Sequence, residues 1–326
     1  MTMLITGGAG FIGSNFIFYQ MKHHPHSRIV CVDKLTYAGN LSTLESVMGD
    51  PRFRFVQGDI CDGALMDRVF AEERPDIVVN FAAESHVDRS VSDPMPFIRT
   101  NIEGVSVLLN ACRQYGVSRF HQISTDEVYG DLPLDSADRF TEAALLRPSS
   151  PYSASKAAAD LLVLSYYRTY RLPVTVSRSV NNYGPYQYPE KLIPYMIASA
   201  LEELPLPVYG DGRNIRSWLH VEDHCAAVDR ILDCGAPGEI YNIGGRDELS
   251  NLDLVGRILR RLEKSEELIS FVADRPGHDL KYAVSGEKLA AELGWVPQID
   301  FESGLRQTID WYLSHGDWWK PLWNRA

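Results

Sequence analysis

Positive charge, cysteine and long apolar runs are all scarce in this 326-residue chain. Lys and Arg number 32 against 43 Asp and Glu, a net charge of −11, which argues against a general affinity for nucleic acid or an anionic membrane. An anionic small ligand stays open, because a pocket needs only a few local cations. No apolar run approaches the roughly 20 residues of a membrane-spanning helix. Met1 leads straight into a strand-like segment, without the charged-then-apolar pattern of a signal peptide. A soluble cytoplasmic protein is expected. The five cysteines, Cys31, Cys61, Cys112, Cys225 and Cys234, are odd in number and never spaced Cys-x-x-Cys. Neither a zinc ribbon nor a thioredoxin-type pair is expected, and free thiols are. His220 and His224 enclose Glu222 and Asp223, but His-Val-Glu-Asp-His is not the His-Glu-x-x-His order of zinc proteases, so no metal is expected. Internal repeats and low-complexity segments are absent. Apolar residues are plentiful: 45% of the chain is hydrophobic, enough for a sizeable core in one large domain or two ordinary ones.

Short apolar runs alternate with amphipathic stretches through the first half. Strands are predicted at 3–6, 28–32, 53–57, 76–82, 120–124 and 174–177, and helices at about 13–21, 62–73, 92–115 and 152–170. Segment 76–82 (DIVVNFA) is nearly all apolar, as a strand covered on both faces requires. Strict alternation of strand and helix predicts an α/β fold with a Rossmann-type, doubly wound parallel sheet. After Asn182, the prolines at 185, 189, 194, 205 and 207 break the chain into short elements. The βα rhythm returns over 217–232 and 239–243, followed by helices at about 250–263 and 302–314. The expected organisation is a Rossmann domain over 1–180, with about 217–244 packing back onto it. A smaller, discontinuous mixed α/β domain for substrate takes 181–216 and 245–326.

The first βα turn reads Thr6-Gly7-Gly8-Ala9-Gly10-Phe11-Ile12-Gly13, with glycines at 7, 10 and 13. Glycines permit a tight turn and let backbone N–H groups approach a pyrophosphate at a helix N-terminus. The motif lies between a strand and a helix, the context such a site needs. Asp33 ends the second strand, 20 residues past Gly13. A carboxylate there suits the adenosine ribose hydroxyls and repels a 2′-phosphate, so NAD rather than NADP is the expected cofactor. Lys34 beside it softens that preference. Further on, Tyr152-Ser-Ala-Ser-Lys156 puts a tyrosine and a lysine four apart on one helix face. An unperturbed phenol titrates at about 10. A neighbouring ammonium and a positive nicotinamide favour phenolate and make it a usable base.

With the glycine turn, this pair resembles the extended short-chain dehydrogenase/reductase family. Ser124-Thr125-Asp126-Glu127-Val128-Tyr129-Gly130 narrows the resemblance to its nucleotide-sugar 4,6-dehydratases. Epimerases of the family tend to have small or neutral residues where this chain has Asp126-Glu127, and decarboxylases usually have Ser-Glu. Phe81-Ala-Ala-Glu-Ser-His-Val-Asp-Arg89, Asn181-Asn-Tyr-Gly-Pro185, Pro189-Glu-Lys-Leu-Ile-Pro194, Asn214-Ile-Arg-Ser-Trp218, Tyr241-Asn-Ile-Gly-Gly245 and Asp274-Arg-Pro-Gly-His278 extend the similarity over about residues 3–313.

The resemblance implies a lyase of deoxysugar biosynthesis. Hydride leaves sugar C4 for NAD⁺ while Tyr152, with Lys156, takes the 4-hydroxyl proton and Thr125 holds the 4-oxygen. Glu127 removes the C5 proton, Asp126 donates to the departing 6-hydroxyl, and hydride returns to C6. Two carboxyl groups with opposed roles need different environments. For the cofactor it implies Gly7, Gly10, Phe11, Ile12 and Gly13, then Asp33, Lys34, Leu35 and Thr36, with Asp59 and Ile60 near adenine. Phe81, Ala82, Ala83, Ser85, Thr100, Tyr152, Lys156 and Asn182 complete that set. For the sugar nucleotide it implies Ser85, Thr125, Asn181, Lys191, Leu192, Arg216, Asn242, Arg275 and His278, with Pro207, Val208 and Tyr209 beside the base. Lys191, Arg216 and Arg275 suit a diphosphate, since charge-assisted contacts are the strong ones. The expected donor is dTDP-glucose. UDP-glucose stays open, because Pro185-Tyr-Gln-Tyr-Pro189 lacks the His that dTDP enzymes often carry before the aromatic residue. A 4-epimerase or decarboxylase, and a non-catalytic NAD-binding regulator, are the competing readings, and turnover separates them. The 92–115 and 152–170 helices have wide apolar faces; in this family such a pair forms a four-helix bundle across a homodimer, which is expected here. The tail Trp318-Trp319-Lys-Pro-Leu-Trp323 either docks on its own domain or enters an interface.

Overall fold

A computed structural model describes residues 1–274 and 278–323. Six strands precede residue 180: β1 (Thr2–Thr6), β2 (Arg28–Asp33), β3 (Phe53–Gln57), β4 (Ile77–Asn80), β5 (Arg119–Thr125) and β6 (Val174–Ser179). Six follow: β7 (Asn181–Tyr183), β8 (Leu206–Tyr209), β9 (Ile215–His220), β10 (Ile240–Ile243), β11 (Asp247–Ser250) and β12 (Ile269–Val272). Seven of them form one parallel sheet in the order β10-β6-β5-β4-β1-β2-β3. Leu4, Ile5, Val30, Val78 and Val79 in its middle are fully buried, because helices cover both faces. Phe11–His23 and Val221–Cys234 pack on one face. Gly63–Glu73, Val105–Tyr115 and Pro151–Tyr170 pack on the other. The strand order reverses between β1 and β4, and the carboxyl ends of the strands there open the crevice in which such sheets bind ligands.

The second half adds two small sheets, β11-β9-β7 and β12-β8. Helices Leu192–Leu201, Asn251–Arg261 and Phe301–Ser314 close a separate core around Tyr183, Ile197, Trp218, Ile258 and Trp319. Strand β10 joins the large sheet beside β6, whereas β9 pairs with β7 and β11. Prolines hide one helix here from a sequence reading. Pro194 lies in the first turn of Leu192–Leu201, where its missing N–H would have no intrahelical partner anyway.

The predicted 92–115 helix is found as one run, Met95–Ile98 and Val105–Tyr115 joined through a π-helical turn Arg99–Gly104, with a separate short helix Val87–Ser92 before it. Asp93, before Pro94, is extended, as a residue preceding proline prefers. The π turn aims Asn101 inward. Its side chain accepts from Glu84 N at 2.9 Å and donates to Glu84 O at 3.0 Å and Ser155 Oγ at 2.8 Å. Helix Pro151–Tyr170 starts on Pro151 behind a Ser150/Ser153 capping box, which fixes where Tyr152 emerges. The tail docks on its own chain. Trp319 is buried with Nε1 donating to Tyr312 O, and Trp318 Nε1 donates to Thr43 Oγ1 at 3.1 Å. Among the described residues no helix is long and apolar enough to cross a membrane.

Candidate active site

The glycine turn is shaped by close approach. Gly7 has φ +68°, and a Cβ on it would lie 2.5 Å from Ala82 N; a Cβ on Gly13 would lie 2.4 Å from Gly7 O. No side chain fits at either place, so the helix N-terminus at Phe11 opens to the cleft through backbone alone. The Asp33 carboxylate is tied to this turn: Oδ2 accepts from Ala9 N at 2.9 Å and Oδ1 from Leu35 N at 2.8 Å. Burial pushes its pKa up and those two bonds oppose the rise. Lys34 pairs with Asp59 at 2.7 Å, and both line the cleft. A side-chain-free cradle at a helix start, with a carboxylate closing the next strand, fits a dinucleotide such as NAD. Gly7→Ala is expected to strip the purified protein of bound dinucleotide and lower its melting temperature, measured by absorbance of the extract and a thermal scan. Full cofactor occupancy in the variant would refute the crowding argument.

One cleft of about 350 Å³ brings most of the predicted residues together. Thr125, Asp126, Glu127, Tyr152 and Lys156 line it, as do all the predicted cofactor residues except Leu35. Leu35 contributes its backbone N–H to Asp33 instead, at φ +56°. Of the predicted sugar-nucleotide residues, Ser85, Thr125, Asn181 and Lys191 line the cleft, and Lys191 Nζ donates to Ser85 O at 3.1 Å.

The other predicted sugar-nucleotide residues lie elsewhere. Leu192 begins the helix behind Lys191. Pro207, Val208 and Tyr209 are on β8, Val208 is buried, and the Tyr209 ring sits 6.0 Å from that of His278, which bonds Asp274 at 2.6 Å. Arg216 is buried with Nη2 donating to Asp279 O at 2.9 Å, its guanidinium 4.4 Å over the Tyr282 ring. Asn242 is taken up inside the protein: its Oδ1 accepts from Tyr129 Oη at 2.8 Å and its Nδ2 donates to Phe140 O at 3.1 Å. Arg275 is outside the described residues.

The cleft also has lining that the motifs did not single out, among it Glu84, Ser179, Tyr188, Glu190 and His224. Glu84, Tyr188 and Glu190 lie within or beside quoted segments, so proximity in sequence was the available signal. His224 stood apart as a metal question; it is buried, and burial lowers its pKa to about 3.

The acidic pair sits at the end of β5. Thr125 caps a short 3₁₀ turn, Asp126–Tyr129, which turns sharply at Gly130, φ +84°. Asp126 is 2% exposed. Burial first, and then the charge of Glu127, push its pKa up to about 8. Thr125 Oγ1 donates to its Oδ1 at 3.3 Å. Glu127 keeps more of its surface toward the cleft. One carboxyl group is thus held as an acid beside another facing the same space, the asymmetry that opposed proton transfers need.

Tyr152 and Lys156 emerge from one helix into the cleft. Within the chain's own groups, burial and then the charge of Glu127 push the Tyr152 phenol up, with a hydrogen bond to Thr125 opposing. The Lys156 ammonium donates to Ile123 O at 2.5 Å, and burial lowers its pKa to about 8.

A family model described as GDP-mannose 4,6 dehydratase matches residues 4–308. A dTDP-glucose 4,6-dehydratase of Neisseria meningitidis serogroup B is 52% identical over 99% of this chain and 96% of its own. A solved dTDP-glucose 4,6-dehydratase of Streptomyces venezuelae, with NAD and TYD bound, superposes with a TM-score of 0.96 at 46% identity, covering 99% of this chain and 100% of that one. The Bacillus anthracis enzyme of the same name, in complex with NAD, gives 0.93 at 48%, covering 99% of each chain. Sharing its fold and about half its residues with them from end to end, the chain belongs to the dTDP-glucose 4,6-dehydratase family.

Proposed function

We propose that the protein is a hydro-lyase converting dTDP-glucose to dTDP-4-keto-6-deoxyglucose with NAD. The observation that carries this is the unequal acidic pair: Asp126, protonated up to about pH 8, next to Glu127, over the Tyr152-Lys156 helix in one cleft. NAD, held by the glycine turn, Asp33 and the wall formed by Phe81–Ala83, Ser85 and Thr100, accepts a hydride from sugar C4 and gives it back at C6. Tyr152 takes the proton of the 4-hydroxyl as the C4 ketone forms, and Thr125 holds that oxygen. The ketone acidifies C5–H, and Glu127 takes that proton and returns it to C5 as the hydride reaches C6. Asp126 gives its proton to the 6-hydroxyl, which leaves as water. Lys156 orients the end of its helix through Ile123 O and keeps positive charge near the phenol. Asn181, Lys191 and Arg216 are proposed sugar-nucleotide contacts, Arg216 being close enough to lower the Asp126 pKa against burial.

The same reading places the protein in the cytoplasm as a homodimer, and divides it into a cofactor unit over 1–180 plus about 217–244 and a substrate unit over the remainder. The exposed Val91, Met95, Ile98 and Leu161 support a bundle between subunits. Asp33 is proposed to select NAD over NADP. Asp33→Ser is expected to shift the affinity ratio toward NADP by about tenfold or more, since it removes a carboxylate that repels a 2′-phosphate; a ratio unchanged by calorimetry would exclude that role.

Mass spectrometry of dTDP-glucose and UDP-glucose incubated with the purified protein, with no NAD added, tests the function. Loss of one water from dTDP-glucose, faster than from UDP-glucose, is expected. An unchanged mass with formation of the 4-epimer by NMR would establish an epimerase, and untouched sugars even with NAD would overturn the proposal in favour of another sugar nucleotide or the regulator reading.

A further inference from the structure

Helix Pro151–Tyr170 carries a third ionisable side chain in line with Tyr152 and Lys156: Asp160, one turn further on. Residues at i, i+4 and i+8 stack along one helix face. Asp160 is fully buried, and its Oδ2 accepts from Arg178 Nε on β6 at 2.8 Å. Arg178 is itself 2% exposed. Desolvating two such charges costs as much as their attraction returns, so a buried pair is weak evidence for stability alone. The second bond of Arg178 suggests another role. Its Nη1 donates to Tyr129 Oη at 2.9 Å, and Tyr129 ends the turn that begins with Asp126 and Glu127. The pair therefore joins the Tyr–Lys helix to the acidic turn from beneath, and neither member lines the cleft.

Tyr152 and Asp160 share the helix of Lys156, Arg178 on β6 bonds Asp160, and Asp126 and Glu127 on the turn after β5 and His224 on helix Val221–Cys234 line the same cleft as Lys156. Asp160 is the one whose charge holds the Lys156 pKa up against burial.

Resting on the dehydratase reading, we propose that Asp160 and Arg178 are positioning residues for the reaction. Asp160 keeps Lys156 placed and charged, and Arg178 holds the Asp126-Glu127 turn in register with the Tyr152-Lys156 helix. Asp160→Asn keeps the shape of the side chain and removes its charge. Acylation of Lys156 by trace acetic anhydride across pH, followed by peptide mass spectrometry, reads the titration of that lysine without turnover. The midpoint is expected to fall by about half a pH unit or more from wild type, because the opposing carboxylate is gone. An unmoved midpoint overturns the proposal. Wild-type turnover of dTDP-glucose, run beside it, reports separately on the dehydratase reading. Tyr129→Phe tests the other arm and decides the question if Asp160→Asn does not fold. It is expected to lower kcat about tenfold while the KM for dTDP-glucose stays within about twofold and bound NAD is retained. A kcat within about twofold of wild type overturns the proposal.

Discussion

Tyr152→Phe is expected to lower kcat for dTDP-glucose by roughly a thousandfold, within the range of about 10²–10⁴ that a positioned general acid or base contributes. The substitution removes one oxygen and leaves the ring, which keeps its edge contact with Phe97 at 6.3 Å between centroids. The lost hydrogen bond is the one to Thr125, so the fold and the glycine turn are unaffected. Because burial and Glu127 hold the phenol up, the wild-type reaction depends on positive charge brought beside it when the cofactor is bound. Its rate is expected to rise with pH as phenolate forms, and the variant should lose that rise together with its turnover. Single-turnover assays with C4-deuterated substrate check the step. A variant within tenfold of wild type, or one that keeps the pH rise, would remove Tyr152 from the proton transfer.

The parts of this site that could be read in the sequence are those where chemistry and backbone are local. The glycine turn, Asp33, the acidic turn and the Tyr-x-x-x-Lys spacing each depend on neighbours within a few residues, and all of them meet in one cleft. Strand placement was readable for the same reason: β1, β2 and β4 are mainly apolar runs, and Phe53–Gln57 is found at its predicted limits. What could not be read depends on partners far apart in the chain. Asn242 and Tyr129 are 113 positions apart, and their hydrogen bond carries the asparagine into the interior. Asn101 gains its role only because the helix around it opens into a π turn, which no apolar periodicity announces. The Tyr152 pKa belongs to the same class. Spacing puts Lys156 on the right helix face, but the carbonyl of Ile123, from β5, decides where its ammonium goes.

Asp126→Asn is expected to lower kcat by about 10²–10⁴ and, at the same time, to remove a pH dependence of stability. In the folded chain the carboxyl titrates at about 8, whereas in the unfolded chain it titrates at about 3.9. Between those values the folded state holds a proton that the unfolded state has released. The stability this group contributes is therefore complete below about pH 4 and is lost progressively as pH rises toward 8. Each pH unit in that window corresponds to about 1.4 kcal/mol, so the full span is on the order of a few kcal/mol after relaxation around the site. Asparagine has no proton to lose, and the variant should gain on wild type steadily from pH 4 to pH 8. Its amide leaves a buried donor where Asp126 Oδ2 already has no hydrogen-bond partner, at a cost of about 1–3 kcal/mol. That cost is the same at every pH, and titrating groups away from the site cancel between the two proteins, so the slope of the difference reports the Asp126 proton together with its coupling to Glu127. Chemical denaturation of both proteins at several pH values measures it. A difference that stays flat from pH 4 to pH 8 would mean that Asp126 is ionised in the folded protein, and it could not then be the acid that releases water.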